Sequence, residues 1–114
     1  MGRIDKVNQQ LKREIARIML QELSDPRLEF VSITAVSTSK DLKNARVYYS
    51  VLGNEQKQGE VQKGLDRARG MIRRLLSSEL NMRNTPELRF IFDNSLESSA
   101  RIEETLKEIN EESE

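Results

Sequence analysis

The spacing of apolar residues alternates along the chain between helical and strand periods, and this order restricts the fold more than any other feature of the sequence. From about Arg3 to Leu23, apolar residues recur at three- and four-residue steps, which is the spacing of one helical face. Pro26 then ends the helix, because proline lacks a backbone N–H and disfavours helix in the residue before it. The stripe predicted to face the core consists of Ile4, Val7, Leu11, Ile15 and Ile18.

Two strands are predicted next, from Phe30 to Thr38 and from Ala45 to Val51, because β-branched and aromatic residues alternate there with polar ones. The polar segment 39–44 between them is short enough for a hairpin turn. The predicted inward residues of the first strand are Val31, Ile33 and Ala35. Those of the second strand are Ala45, Val47, Tyr49 and Val51.

A second long helix is predicted from about Glu60 to Ser78. On an uninterrupted helix we expect Glu79 to project into the apolar face and Leu80 to turn away from it, and burying an unpaired carboxylate is costly. We therefore predict a kink at Ser77 and Ser78 that resets the register, since serine hydroxyls can bond the backbone groups that a bend frees.

A third strand is predicted from Leu88 to Phe92, and a last helix from about Ser95, with a thin apolar seam at Ile102, Leu106 and Ile109. Residues 110–114 are expected to form an acidic, disordered tail. The order helix, strand, strand, kinked helix, strand predicts one α+β domain over residues 1–109.

The formal net charge of zero conceals an uneven distribution. Residues 1–92 contain 17 Lys and Arg against 11 Asp and Glu, whereas residues 93–114 contain 2 against 8. A basic body beside an acidic segment is typical of a protein whose body binds a polyanion. The alternative is that so charged a domain has uneven charge without any such function.

Helical periodicity places most cations of the two long helices away from their apolar stripes. On the first helix these cations are Lys6, Arg13 and Arg17. On the second they are Lys63, Arg67 and Arg74, with Arg69 and Arg73 flanking the stripe. A bend at the two serines is expected to bring Arg73, Arg74 and Arg83 together on one surface, although each arginine alone could equally be a solvated charge.

Composition removes several classes of function. The chain has no cysteine and no histidine, so disulfides, thiolate or imidazole metal sites and the commonest general base are excluded. The adjacent residues Ser39, Lys40 and Asp41 are poorly placed to form a nucleophile and its base. We expect a cytoplasmic, monomeric, non-enzymatic protein with no cofactor, metal, small-molecule substrate or membrane segment.

Three stretches together resemble the bacterial ribosome-binding factor A family. They are DPRL at residues 25–28, TAVSTSKDLKNARVYYSV at 34–51 and GMIRRLLSSELNMRNTPELRFIFDNSLE at 70–97. The most specific part is 70–96, where IRRLL, a small-residue break, PELRF and a D-x-S ending occur in order. The resemblance covers the chain from about Arg3 to Ile109.

The resemblance implies a type II KH-like fold, with the helices on one side of a three-stranded sheet. It also implies binding to the immature small (30S) ribosomal subunit and its 16S rRNA, a role in late maturation and rRNA processing, and particular importance in the cold. In this family a helical kink with small residues, often glycine or alanine, takes the place of the Gly-x-x-G loop of ordinary KH domains. Ser77 and Ser78 fill that place here, and without a Gly-x-x-G loop the ordinary KH reading of four nucleotides is not expected.

The candidate RNA-binding residues are therefore the cations of the two helices together with Arg83, since guanidinium groups bind phosphate oxygens in pairs. Tyr48, on the opposite side of its strand from Tyr49, is the one candidate for stacking on a base. The alternative function is a protein-binding adaptor, in which the domain docks ribosomal or other proteins and the arginines serve only solubility.

Overall fold

A computed structural model describes residues 2–52 and 57–93. It confirms the predicted order of helix, strand, strand, helix and strand. The elements are helix α1 (Arg3–Gln21), a short 3₁₀ turn (Pro26–Leu28), strands β1 (Val31–Thr38) and β2 (Asn44–Val51), helix α2 (Gln58–Leu80) and strand β3 (Glu87–Phe92). The helix predicted from about Ser95 and the tail predicted at 110–114 lie outside the described residues.

The three strands form one mixed sheet in the order β1-β2-β3. Strands β1 and β2 are antiparallel and are joined by a short hairpin, in which the Asp41 carboxylate accepts hydrogen bonds from the Lys43 N–H and the Ser39 hydroxyl. Strands β2 and β3 are parallel. Parallel strands need a long crossover, and α2 supplies it.

Both helices cover the same face of the sheet, as predicted. Ala45, Val47 and Tyr49 of β2 are buried, and so are Leu88 and Phe90 of β3. The helices contribute a second layer of buried residues to the same cluster, namely Leu11, Ile15 and Ile18 from α1 and Leu65, Ile72 and Leu76 from α2. The alternate residues of the strands lie on the opposite face, which no described helix covers.

Strand β1 departs from the predicted alternation. Its register with β2 shifts between Ile33 and Ala35, so that Thr34 has no partner and forms a β-bulge. The extra residue exchanges the faces beyond it: Val36 is buried and Ala35 is exposed. The prediction that Ala35 faces the core is therefore wrong.

The DPRL segment connects α1 to the sheet by a compact turn. Asp25 accepts hydrogen bonds from the backbone N–H and the guanidinium of Arg27, and Pro26 begins the 3₁₀ turn with its fixed φ angle. Hydrogen bonding from Arg27 lowers the pKa of Asp25. Leu28 is buried against α2 at Gly64, where an added Cβ would lie only 3.2 Å from a Leu28 methyl carbon.

Helix α2 is not interrupted at Ser77 and Ser78. It continues without a break through Ser77 and Ser78 to Leu80, and the chain turns only at Asn81, which adopts a left-handed conformation with φ 51°. Leu80 lies four residues after Leu76 and therefore stays on the same helical face, where it packs against the core. Glu79 is exposed, so no buried carboxylate has to be avoided.

Candidate nucleic-acid interface

The last turns of α2 and the turn after it form a shallow depression of about 480 Å³. We call it the arginine depression; it is lined by Gly70, Arg73, Arg74, Ser77, Arg83, Asn84 and Thr85. The left-handed Asn81 reverses the chain, so that the segment after the helix lies back against its last turns. Arg73, Arg74 and Arg83 therefore come together as predicted, but the turn after Leu80 causes this and not a break at the serines.

Arg73 is held by the protein itself. Its Nε donates to the carbonyl oxygens of Thr85 and Pro86 at 3.2 Å each, and its Nη2 donates to Thr85 at 2.8 Å. Its Nη1 lies 3.1 Å from a carboxylate oxygen of Glu87. This guanidinium thus fastens α2 to the segment that leads into β3, and few of its donors remain for a ligand.

Arg74 and Arg83 differ from Arg73 because both are exposed and neither takes part in an ion pair formed within residues 2–52 and 57–93. Their charges are available at the rim of the depression. Two free guanidinium groups beside exposed polar residues can bind adjacent oxygens of a phosphodiester.

The exposed row of α2 extends this basic surface. Lys63, Arg67 and Arg74 recur at helical spacing and are all exposed, and Arg69 is exposed beside them. The charge of Arg67 also acts on Asp25 and helps to lower its pKa, although the hydrogen bonds from Arg27 act more strongly. The row leads along the helix to the arginine depression.

The three cations predicted to form a row on α1 have different surroundings. Lys6 and Arg13 are exposed. Arg17, in contrast, donates to Glu14 and lies 3.6 Å from a carboxylate oxygen of Glu22 and 3.7 Å from one of Glu79. The hydrogen bond to Glu14 raises the pKa of Arg17 most strongly, and the charges of the other two carboxylates raise it further. The three carboxylates thus neutralise the charge of Arg17. We therefore assign Arg17 to the contact between α1 and α2.

The two adjacent tyrosines have different surroundings. Tyr49 is fully buried, donates a hydrogen bond to Gln62 Oε1 and accepts one from Gln58 Nε2 at 3.2 Å, and burial raises its pKa. Tyr48 is half-buried on the uncovered face of the sheet. Arg46 and Arg89 lie in register on that face as well. They were not among the predicted site residues, although strand alternation already places Arg46 opposite the core.

Within the described part of the chain, no group of acidic residues is arranged to hold a metal ion. None of the described helices is both long and apolar enough to cross a membrane.

Comparison with known proteins decides the family. The family model described as ribosome-binding factor A matches residues 3–106. The chain belongs to the ribosome-binding factor A family. A ribosome-binding factor A from Halothermothrix orenii is 44% identical over 112 residues, which cover 98% of this chain and 92% of that protein. The resemblance seen in the sequence is thereby confirmed.

Solved structures of the family share the fold. The crystal structure of ribosome-binding factor A from Thermus thermophilus is 31% identical, with a TM-score of 0.69, and the match covers 78% of this chain and 93% of that one. A homology model of the Thermus thermophilus factor, fitted into a cryo-EM map of its complex with 30S, is 34% identical with a TM-score of 0.61 and covers 73% and 87%. The α+β, KH-like fold class is confirmed.

Proposed function

We propose that this protein binds the immature small ribosomal subunit through contacts to its 16S rRNA and promotes late maturation and rRNA processing, with greatest importance in the cold. Membership of the ribosome-binding factor A family supports the proposal, and the related Thermus thermophilus factor has been fitted into a map of a 30S complex. In this proposal the protein acts in the cytoplasm, as a monomer, without a small-molecule substrate or catalytic activity of its own.

The observation that carries the proposal is the arginine depression with its free charges. Arg74 and Arg83 pair with no acidic group in the described chain, and the exposed row of α2 continues their positive charge. Lys6 and Arg13 offer further cations on α1. RNA backbones present phosphates at regular intervals, so a row of cations along one helix matches such a ligand.

A charge reversal at the free arginines tests the proposal. Arg74→Glu together with Arg83→Glu should abolish most binding to immature small subunits in co-sedimentation, while the fold remains intact because neither side chain holds another element. Lys12→Glu is the matched control, since Lys12 is an exposed cation of α1 outside the predicted sites. Equal binding by the double variant and the control would contradict the proposal.

A protein-binding adaptor is the second candidate, and one observation favours it. Phe30 and Leu52 are exposed at 60% and 72%, and together they line a second depression beside Lys57 and Val61. Exposed apolar residues that cluster often mark contacts with other proteins. If the adaptor function is correct, Phe30→Ser with Leu52→Ser should weaken subunit binding and the arginine variants should not.

A further inference from the structure

The sheet face turned away from both helices carries charged and aromatic residues that the arginine depression does not use. The pairing of the strands places them in rows across the sheet. One row consists of Ser37, Arg46 and Arg89, and the next consists of Ala35, Tyr48 and Ile91. The two rows are two residues apart along the strands, which corresponds to about 7 Å.

Arg46 and Arg89 are direct neighbours on adjacent strands, and both are exposed. Like charges in this position repel each other and destabilise the sheet. Neither arginine belongs to any ion pair formed among residues 2–52 and 57–93. A bound anion between the two guanidinium groups would relieve the repulsion.

The acidic residues at the two ends of this face are engaged elsewhere. Glu87 lies 3.1 Å from the guanidinium of Arg73. Asp93 accepts a hydrogen bond of 2.8 Å from the hydroxyl of Thr34 at the β-bulge. The positive end of the face is therefore at Arg46 and Arg89, and the negative end is at Asp93.

Tyr48 occupies the middle of the same face. Its in-register neighbours are Ala35, which is small, and Ile91, which is aliphatic and half-buried. Unlike the Tyr49 hydroxyl, the Tyr48 hydroxyl makes no hydrogen bond within residues 2–52 and 57–93. A half-buried ring between two apolar cross-strand neighbours offers a surface on which a flat base can stack, and such stacking tolerates any base.

We propose that this face is a second RNA-binding surface, which takes a single-stranded segment with a base on Tyr48 and a phosphate between Arg46 and Arg89. The spacing of the two rows lets one nucleotide reach both positions. A duplex fits the face poorly, because its bases are stacked on one another and cannot lie on the ring. The proposal rests on the proposed function, since the ligand is RNA of the small subunit.

Fluorescence anisotropy with a short labelled oligouridylate, which has no secondary structure, tests this surface separately from the subunit. Arg46→Ala with Arg89→Ala should flatten the log–log dependence of affinity on salt by about 0.7, because the two arginines together hold one phosphate and each lost single-strand phosphate contact contributes about 0.7. Tyr48→Leu should weaken binding about tenfold with the salt slope unchanged, whereas Tyr48→Phe should bind like the parent chain.

Two controls exclude a change in folding. Arg46→Ala and Arg89→Ala should not lower the melting temperature, because each removes a repulsion. Lys12→Ala removes an exposed charge from α1 and should leave oligouridylate binding nearly unchanged. If Tyr48→Leu folds poorly, the parent chain can be titrated with oligouridylate and followed by its amide chemical shifts. The largest changes should then occur at Arg46, Tyr48 and Arg89.

Several results would overturn the proposal. One is that Arg46→Ala with Arg89→Ala and Tyr48→Leu both bind oligouridylate like the parent chain. Another is that the amide chemical shifts change only in α2 during the titration. Contacts in the free chain between the Tyr48 ring and residues 102–109 would show that the protein's own acidic segment occupies the face. Weaker subunit binding with unchanged oligouridylate binding would assign the face to a protein partner. A different result would separate this proposal from the proposed function. If Arg74→Glu with Arg83→Glu leaves subunit binding unchanged while oligouridylate binding still depends on Tyr48, the arginine depression is refuted as the binding site and the proposal for the sheet face is supported.

Discussion

Replacing Arg73 by alanine should destabilise the fold, although the residue lies within a cluster of apparently similar surface arginines. The substitution removes three hydrogen bonds to the carbonyl oxygens of Thr85 and Pro86 and an ion pair with Glu87. Hydrogen bonds from a charged donor contribute about 1.5–3 kcal/mol, and a largely exposed ion pair adds less than about 1 kcal/mol. Because the guanidinium is itself partly exposed, we expect a loss of about 2 kcal/mol in the free energy of unfolding.

The neighbouring residue provides the matched control. Arg74→Ala removes the same side chain one position later, where it makes no ion pair within residues 2–52 and 57–93, and should change stability by less than about 0.5 kcal/mol. Thermal melts should therefore separate the two variants by about 10 °C in a domain of this size. Arg73→Lys should recover only part of the loss, since one ammonium group cannot reproduce the fork of donors. Equal melting temperatures for Arg73→Ala and Arg74→Ala would refute this account of the connection between α2 and β3.

Four further substitutions test other parts of the fold. Gly70→Ala should raise the free energy of unfolding by up to about 1 kcal/mol, because an added methyl meets no atom within 4 Å and alanine favours helix. Gly64→Ala should stabilise the fold less or destabilise it, since its methyl crowds Leu28. Burial raises the pKa of Tyr49, so the folded state keeps its proton when the unfolded state begins to lose it near pH 10, and stability should fall above that pH. In urea titrations this alkaline loss should be smaller for Tyr49→Phe, and an identical pH dependence would contradict it. Ser78→Leu should leave the melting temperature unchanged or slightly higher, since Ser78 is exposed on a continuous helix, whereas a marked loss would restore the predicted kink.

The main features of the fold follow from patterns that local sequence carries. Strand β2 is central, so its alternation is regular, and Ala45, Val47 and Tyr49 are buried as predicted. Strand β1 lies at the edge, where one extra residue can be inserted with little disturbance to the rest of the sheet. The inserted Thr34 exchanged the faces of Ala35 and Val36, and nothing in the local alternation indicates it.

The interruption predicted at Ser77 and Ser78 is not seen, since α2 is continuous to Leu80, and a bend of the helix axis there stays a prediction. Helical periodicity places Glu79 next on the apolar stripe, whereas the stripe continues from Leu76 to Leu80 at a four-residue step. The roles of individual arginines could not be predicted either. Arg73 is bound by Thr85, which is distant in sequence and which periodicity does not relate to it. Arg17 is bound most strongly by Glu14, three residues before it on the same helix, and also lies near Glu79 of the other helix.

The salt dependence of binding to immature small subunits shows whether the arginine depression binds phosphate groups. The affinity of the parent chain should fall steeply with salt, and Arg74→Ala with Arg83→Ala should flatten the log–log slope by about one to two, or about one for each lost phosphate contact. Lys12→Ala should leave the slope close to that of the parent. A slope and an affinity unchanged in the double variant would contradict phosphate binding by the arginine depression.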